Sequence, residues 1–311
     1  MNSLVAVILK VKYFFIKNFI KIKDRQKRRL HREKMSLLRS KMLEHYSQKN
    51  NMTEEESEVI KYLENNKIYP IPYMFRKNYL NLDIEVFLDK KTGLRYVLYD
   101  NKRLFFNRSM PVDKIKSAWK GLLAEQDLDS PHRYLTNKFN VDKNDVVVDI
   151  GAGEGNFALS VVEKCKKIYL FESDKKWIEA LRETFKPWAG KVSIINKDVS
   201  RIDERKKIKL DSFFGDKIKQ NYFLKIDAEG TEDKVLGGCD EILSKSPSVK
   251  VALCTYHNQE DFVKFSKFFH EKEYDVGFSK GYMIPINIKI EEPYLVRGLI
   301  RATKATISKA K

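Results

Sequence analysis

Cysteine, glycine and proline are scarce in this chain of 311 residues, and no long hydrophobic run is free of charge. The three cysteines, Cys165, Cys239 and Cys254, fit neither a disulfide framework nor a zinc ribbon, so we expect a reducing compartment. Thirteen glycines and eight prolines exclude a collagen-like or low-complexity chain. At the apolar N-terminus the longest stretch without charge is residues 1–9, whereas a bilayer span needs about 20 residues.

Basic side chains, in contrast, are abundant and concentrated at one end. The net charge is +17, and residues 1–50 hold 14 basic and 3 acidic side chains. Residues 1–35 therefore predict a basic helix in peripheral contact with an anionic membrane surface. A helix that is solvated, or packed on the rest of the chain, fits the same charge equally well. Nucleic-acid binding is a weaker alternative, because no RNA- or DNA-binding motif accompanies the charge.

Three segments with different patterns predict three parts of the protein. Residues 1–50 form the basic helical segment. Residues 51–111 form an accessory region that begins with a capping box at Thr53–Glu56 and continues with a small β-meander at 84–106. Residues 112–311 are long enough to form the main domain.

Strands and helices alternate after residue 146, which predicts an α/β domain with a parallel sheet and helices on both faces. The predicted strands are 146–150, 167–172, 192–196, 222–226 and 249–254, and the predicted helices are 156–164, 175–186, 231–243 and 259–271. Two further strand-like runs, 282–290 and 293–300, have no helix between them. They predict an antiparallel hairpin at the sheet edge.

A glycine-rich turn follows the first of these strands, in the segment VVVDIGAGEGNF at 146–157. Its glycines are Gly151, Gly153 and Gly155, and Asn156 stands where the dinucleotide fingerprint requires its last glycine. Glu154 would repel a pyrophosphate placed on this turn. A cationic ligand without phosphates suits the turn better, and S-adenosylmethionine is such a ligand.

Acidic side chains at the ends of strands extend this predicted site. Glu172 lies 21 residues after Gly151, where a carboxylate can accept both hydrogen bonds of a ribose diol. Asp198, just after the third strand, is positioned to accept from an adenine amino group. Asp149 precedes the glycine turn and is counted with it among the cofactor-binding residues.

Three motifs together suggest a family. They are DIGAGEG at 149–155, FESD at 171–174 and KIDAEGTE at 225–232, and they resemble the FkbM-type methyltransferases over about residues 120–300. The resemblance implies an S-adenosylmethionine-dependent enzyme with the class I methyltransferase fold, a Rossmann-like, doubly wound sheet of seven strands whose last strand is antiparallel. It also implies O-methyl transfer to a hydroxyl of a sugar in a polysaccharide, glycolipid or glycosylated metabolite.

Methyl transfer to a sugar hydroxyl requires alignment of the acceptor and removal of its proton. Asp227 and Glu229 end the fourth strand, so we expect them to face the transferred methyl group. His132 and His257 are further candidate bases, because both loops reach the same rim. Glu232 is expected to organise the loop rather than to react. The two histidines and two carboxylates could also coordinate a divalent metal, but no local spacing supports this, so it is a minor alternative and no metal is assigned.

The sequence thus predicts a carbohydrate or glycolipid O-methyltransferase in the cytoplasm, peripheral at the inner membrane face. Two alternatives remain, a nucleic-acid methyltransferase and a non-enzymatic scaffold with the same fold. The loop Asp227–Gly230 lacks the Asn/Asp-Pro-Pro-aromatic pattern of amino-methylating enzymes, and its acidic rim would repel phosphates. On these grounds no nucleic-acid partner is expected.

Overall fold

The computed structural model describes residues 2–286 and 290–304, and their side chains from residue 25 onward. The chain begins with one long helix, α1 (Asn2–Ser47), followed by α2 (Glu54–Asn65) and the short α3 (Arg76–Leu80). The predicted capping box is present, since the Thr53 hydroxyl accepts from the Glu56 amide and the Glu56 carboxylate accepts from the Thr53 amide. The helix predicted to end near residue 65 is therefore confirmed.

A three-stranded antiparallel meander follows, as the pattern at 84–106 predicts. Its strands are β1 (Phe87–Leu88), β2 (Arg95–Tyr99) and β3 (Lys102–Phe105). The helix α4 (Val112–Glu125) then leads into the main domain. The meander packs on this domain, because the Phe105 amide donates to the Thr184 hydroxyl of a later helix.

The main domain alternates strands and helices in the predicted order. Its strands are β4 (Asp145–Ile150), β5 (Lys167–Phe171), β6 (Val192–Ile195), β7 (Asp198–Val199), β8 (Lys207–Ile208), β9 (Asn221–Ile226), β10 (Ser248–Cys254), β11 (Tyr274–Phe278) and β12 (Leu299–Lys304). Its helices are α5 (Asn156–Val161), α6 (Lys175–Phe185), α7 (Leu210–Phe214), α8 (Glu232–Leu236), α9 (Asp240–Lys245) and α10 (Asp261–Glu271).

Seven of these strands form one sheet, in the order β11-β12-β10-β9-β4-β5-β6. The central strands are parallel, and β12 runs antiparallel to both of its neighbours. Side chains of β4 alternate between two apolar cores, Val147 on one face and Val146 and Val148 on the other. The predicted class I methyltransferase fold is confirmed.

The edge hairpin is present, but the predicted strands are wrong. β11 and β12 form it, whereas residues 282–286 and 290–296 are irregular apart from a single bridge between Met283 and Val296. Residues 287–289 of the predicted run lie outside the described residues. The apolar side chains of this segment are buried against α1 and α2 instead, so their pattern reports a packing surface rather than strand pairing.

The predicted helix at 231–243 is also wrong in one respect, because it is two helices. Gly237 and Gly238 lie between α8 and α9, and a β-carbon on Gly238 would overlap the carbonyl of Ser200. Glycine is needed where a backbone approaches this closely. The chain therefore turns there instead of continuing one helix.

The N-terminal helix packs on the main domain through its C-terminal half. Met35, Met42 and Tyr46 are buried with residues of α2, and the Tyr46 hydroxyl donates to the carbonyl of Pro293. Residues 25–34 are all exposed. No helix within the described residues has the length and apolar character that crossing a membrane requires.

Candidate functional site

The carboxyl ends of β4, β5 and β9 meet at a cavity of about 730 Å³. The loops that follow these strands supply its floor, and the end of α4 and residue Tyr134 supply one wall. Ligands of open α/β sheets bind at this edge. The volume lies in the range of small-molecule sites, which is about 300–1,000 Å³.

The glycine turn forms the floor in a left-handed conformation. Gly151, Gly153 and Gly155 all have positive φ, at 70°, 53° and 81°. A β-carbon on Gly151 would overlap the carbonyl oxygen of Asp227, and one on Gly155 would lie 2.8 Å from Leu181. Glycine is thus required at both positions, where the turn approaches β9 and α6 closely. Asn156 begins α5 directly after the turn and also lines the cavity.

The predicted cofactor-binding acids lie around the same cavity. One oxygen of Glu172 accepts from the Gly153 amide at 2.8 Å and the other from the Asp174 amide at 2.7 Å. These bonds fix the carboxylate at the cavity wall, and each oxygen keeps a lone pair for a ligand. Asp198, at the start of β7, lines the cavity too. Their contacts with ribose and adenine remain predictions.

Acidic side chains outnumber basic ones in the cavity. Seven carboxylates and two lysines line it: Glu125, Glu154, Glu172, Asp174, Asp198, Asp227, Glu229, Lys197 and Lys225. Burial, with Glu172 nearby, raises the pKa of Glu154, as expected where carboxylates crowd. A sulfonium or ammonium group would relieve this crowding, so the cavity fits S-adenosylmethionine better than a phosphorylated cofactor.

Lys225 connects the floor of the cavity to its centre. It is almost fully buried, and its ammonium nitrogen lies 3.0 Å from Asp149 Oδ1 and 2.7 Å from the Gly151 carbonyl oxygen. Burial alone would lower the pKa of Lys225, but the carboxylates of Asp149 and Asp227 raise it above its ordinary value. Asp149, which has no exposed surface, therefore reaches the site through Lys225 and not by direct contact.

Asp227 lies at the centre of a hydrogen-bonded group. Its Oδ2 accepts from the Tyr134 hydroxyl at 2.9 Å, and its Oδ1 accepts from the Tyr256 hydroxyl at 3.2 Å. Burial raises its pKa, but the Lys225 ammonium, the two neighbouring histidines and the Tyr134 hydroxyl outweigh burial, and the pKa falls to about 2. Asp227 is thus an ionised hydrogen-bond acceptor that faces the cavity.

The two predicted histidines lie behind Asp227 and are not among the cavity-lining residues that the structure describes. His132 Nε2 is 3.7 Å from Asp227 Oδ2, and burial lowers the pKa of His132 to about 4, so this ring is neutral near pH 7. His257 Nε2 is 3.5 Å from Asp227 Oδ1. Burial lowers the pKa of His257, but the hydrogen bond to Glu232 and the charge of Asp227 raise it above its ordinary value.

The loop after β9 is ordered by Glu232, as its sequence position predicts. Glu232 Oε1 accepts from the Ala228 amide at 2.9 Å and lies 2.8 Å from His257 Nδ1. Glu229 has positive φ, and its side chain is 89% exposed. Glu229 is therefore at the rim, whereas Asp227 is inside.

Sequence reasoning missed four residues of this site, namely Glu125, Tyr134, Lys225 and Tyr256. Burial, with Asp227 and Glu154 close by, raises the pKa of Glu125 to about 8, so it is protonated near neutral pH. Tyr134 and Tyr256 lie close to His132 and His257 in the sequence, and only the histidines were predicted as candidate bases. Lys225 begins the motif KIDAEGTE at 225–232, but the pattern of residues along β9 gives no reason to expect a functional charge at this position.

Two groups of side chains have a geometry that a metal ion accepts. Asp227, Glu232 and His257 each offer a ligand atom within 4.8 Å of the others, as do His132, Asp227 and Cys254. Both groups share Asp227, whose oxygens already accept from two tyrosines.

Comparison with known proteins bears on the segment that builds the cavity floor. Residues 133–226 match the sequence model of the ribosomal RNA adenine dimethylase family. The matched segment includes the glycine turn, Glu172 and Asp198, and it ends one residue before Asp227. It covers less than a third of the chain.

Individual relatives match over stretches of similar length. The ribosomal RNA small subunit methyltransferase A of Staphylococcus haemolyticus is 33% identical over 69 residues, which are 22% of this chain and 23% of that protein. The probable ribosomal RNA small subunit methyltransferase A of Methanococcoides burtonii is 33% identical over 82 residues, 26% of this chain and 28% of that protein. The chain thus matches about a quarter of the length of these relatives.

A solved structure is similar at a greater distance. The crystal structure of methyltransferase FkbM from Methylobacillus flagellatus KT is 16% identical, with a TM-score of 0.43, and the match covers 58% of this chain and 47% of that chain. This likeness is too distant to support an argument about family or acceptor.

These findings overturn the predicted resemblance to the FkbM-type methyltransferases. The predicted sugar O-methylation, the carbohydrate or glycolipid acceptor and the exclusion of nucleic acid are wrong with it, because the matching relatives are ribosomal RNA methyltransferases. Two of the three motifs behind the resemblance, the glycine turn and the segment around Glu172, lie in the segment that matches the ribosomal RNA adenine dimethylase model and do not distinguish acceptors. The prediction of an S-adenosylmethionine-dependent methyltransferase is confirmed as far as the matched segment reaches.

Proposed function

We propose that this chain is an S-adenosylmethionine-dependent methyltransferase that acts on a base of RNA, with an adenine amino group as the first acceptor to test. The observation that carries the proposal is the match of residues 133–226 to the ribosomal RNA adenine dimethylase family, over the segment that forms the cavity floor. The acidic cavity supports the donor, since it favours a cationic ligand. An uncharged base also enters such a cavity more readily than a phosphate does.

The donor half of the site binds and orients the cofactor in this proposal. The glycine turn brings backbone amides close to the ligand, and Glu172 accepts from its ribose hydroxyls. Asp198 accepts from its adenine amino group, and Lys225 fixes the turn through the Gly151 carbonyl. When bound, S-adenosylmethionine supplies an electrophilic methyl group.

Asp227 then positions the acceptor. Its ionised carboxylate faces the cavity and accepts a hydrogen bond from the acceptor N–H, which aligns the nitrogen lone pair for in-line attack. Tyr134 and Tyr256 hold the carboxylate in this orientation. With a pKa near 2, Asp227 acts mainly through this hydrogen bond and is too weak a base to remove the proton before transfer.

The proton of the methylated nitrogen leaves after the new bond has formed. In this proposal Asp227 relays the proton to His257, whose Nε2 is 3.5 Å from Asp227 Oδ1 and whose Nδ1 lies 2.8 Å from Glu232. Neutral His132, buried beside Tyr256 with its Nε2 3.2 Å from the hydroxyl, supports the group from behind. Glu229 at the rim is accessible to the substrate rather than to the reacting atoms.

The basic part of α1 supports a polyanionic substrate. Residues 25–34 are all exposed and include six cations, Arg25, Lys27, Arg28, Arg29, Arg32 and Lys34. Such a surface attracts RNA phosphates in a salt-dependent way. An RNA acceptor agrees with the predicted cytoplasmic location. Peripheral contact with an inner membrane face stays a prediction, because the side chains of residues 1–24 lie outside the described ones.

Transfer of a labelled methyl group tests the proposal. The purified full-length chain is incubated with radiolabelled S-adenosylmethionine and, separately, with ribosomal RNA, transfer RNA and DNA. We expect label in RNA, and nuclease digestion with chromatography then identifies the methylated nucleoside. Cofactor binding by calorimetry without label in any nucleic acid would contradict the RNA acceptor while leaving the cofactor site standing.

A further inference from the structure

A second cavity, of about 850 Å³, lies on the other side of residues 130–134. It is formed by α2 and the loop before α3, by residues 128–138, and by β11, β12 and the loop after β11. Four cations line it, namely Arg133, Lys138, Lys280 and Arg301, against two exposed carboxylates, Glu58 and Asp129. Its charge is thus opposite to that of the cofactor cavity.

The two arginines form a positive centre without a counter-charge. Arg301 donates to the carbonyls of Tyr134 and Arg133, and Arg133 donates to those of Leu135 and Gln126. These acceptors are neutral, and neither arginine has a carboxylate within 4.0 Å in the described part of the chain. Burial lowers the pKa of Arg301 to about 10, and the charge of Arg133 contributes a smaller part in the same direction. Each guanidinium keeps free N–H donors for an anion.

Exposed apolar surface accompanies this charge. Phe278 is 50% exposed and Met74 is 55% exposed, and both line the cavity with Phe75 and Tyr73. Grooves that bind single-stranded nucleic acid combine cations along the backbone with aromatic faces for the bases. This apolar surface would contribute nothing to the binding of a small inorganic anion.

The segment between the two cavities connects them directly. Tyr134 faces the cofactor cavity and donates to Asp227, while its neighbour Arg133 lines the basic cavity. Arg301 holds the carbonyl of Tyr134, so one short piece of backbone fixes both walls. Two adjacent residues of one backbone segment, Arg133 and Tyr134, therefore line the basic and the acidic cavity.

We infer that the cavity around Arg133 and Arg301 binds a backbone phosphate of the RNA substrate, next to the nucleotide whose base enters the acidic cavity. This inference rests on the proposed function. It also removes the electrostatic objection to an RNA substrate, because the phosphates are bound away from the carboxylates of the cofactor site.

Charge reversal at the two exposed lysines tests this inference without disturbing the fold. Lys138 and Lys280 are exposed and make no ion pair within the described residues, so Lys138→Glu/Lys280→Glu should fold normally. The matched control is Lys90→Glu/Lys219→Glu, which changes the net charge equally at two exposed positions outside both cavities. Thermal unfolding of both variants verifies the fold.

Binding of a fluorescent single-stranded RNA is then measured by anisotropy at several salt concentrations. We expect the cavity variant to bind at least about ten-fold more weakly than the wild type, with the salt slope smaller by about 0.7 for each phosphate that the variant no longer neutralises. The control should change affinity less than about three-fold. Calorimetry should give the same S-adenosylmethionine affinity for all three proteins.

The outcomes separate this inference from the proposed function. RNA binding equal in the cavity variant and the control would overturn the phosphate site, while methyl transfer to RNA in the labelling assay would still support the proposed function. Binding of inorganic phosphate that the cavity variant loses, with no RNA binding by the wild type, would overturn both and show a small-anion site. Weaker RNA binding in the cavity variant alone supports the inference.

Discussion

Replacing Lys225 by methionine probes the buried ion pair beneath the site. Lys225 is 4% exposed and Asp149 is fully buried, and the described residues offer Asp149 no other cation within 4.0 Å. Removing one partner of a buried pair costs about 3–5 kcal/mol, because a charge is left uncompensated. With a urea m value of about 1–3 kcal/mol/M, Lys225→Met should lower the unfolding midpoint by at least about 1 M.

A double-mutant cycle in urea tests the physical reason. In Lys225→Met/Asp149→Leu neither charge remains, so the double variant should lose less stability than the sum of the two single variants. The exposed pair of Lys245 and Glu241 serves as the control, since Lys245→Met should barely move the midpoint. A loss below about 1 kcal/mol for Lys225→Met, or strict additivity in the cycle, would refute the reasoning.

Three further predictions concern the cavity. Gly151→Ala should abolish S-adenosylmethionine binding in calorimetry, since its β-carbon would overlap the Asp227 carbonyl. Gly190→Ala, at an exposed position outside the cavity with open space and no positive φ, should retain binding, and equal loss in both would contradict the close-approach argument. Burial raises the pKa of Glu125 to about 8, against about 4.3 in the unfolded chain. Between about pH 4.3 and about pH 8 the folded state therefore holds one more proton than the unfolded state, and the free energy of unfolding falls as the pH rises through this range. Glu125→Gln should remove that fall, seen by comparing urea midpoints at about pH 5 and about pH 9, and an unchanged pH dependence would be evidence against the raised pKa. Asp227→Asn should lower the transfer rate at least about 100-fold and leave the cofactor affinity nearly unchanged. Glu229→Gln, at an exposed position on the rim, should lower the transfer rate less than about three-fold. Full activity of Asp227→Asn would exclude its positioning role.

Regular patterns in the sequence predicted most of the main domain. Strands β4, β9 and β10 have apolar runs and are buried along nearly their whole length, as is typical of strands buried on both faces. The edge hairpin was misplaced because β11 lies on the surface and contains Asp275 and Gly277, whereas the more apolar residues at 282–286 pack on the N-terminal helices. Burial against a distant part of the chain therefore overrode the local pattern.

In the candidate site, too, local sequence patterns predict some residues, whereas others come together only in the folded chain. The glycine turn and Glu172 are local signals, and the structure places both at one cavity. Tyr134 and Tyr256 are 122 positions apart in the sequence and meet only at Asp227, so no local spacing could reveal them. The acceptor was predicted wrongly because the loop after β9 says little about the substrate, and the basic cavity that would hold a phosphate is assembled from three distant segments.

The position of the buried contacts of α1 determines how many N-terminal residues can be removed without exposing apolar side chains. Among the side chains that the structure describes, from residue 25 onward, its buried contacts begin at Met35 and continue through Met42 and Tyr46, beneath α2 and the segment before β12. Removing residues 1–30 would take away exposed cations and leave this apolar contact intact, whereas removal through residue 50 would uncover it to water. A helix rises about 1.5 Å per residue, so the ten exposed positions before Met35 hold their charges on a rigid arm about 15 Å long rather than on a loose tail.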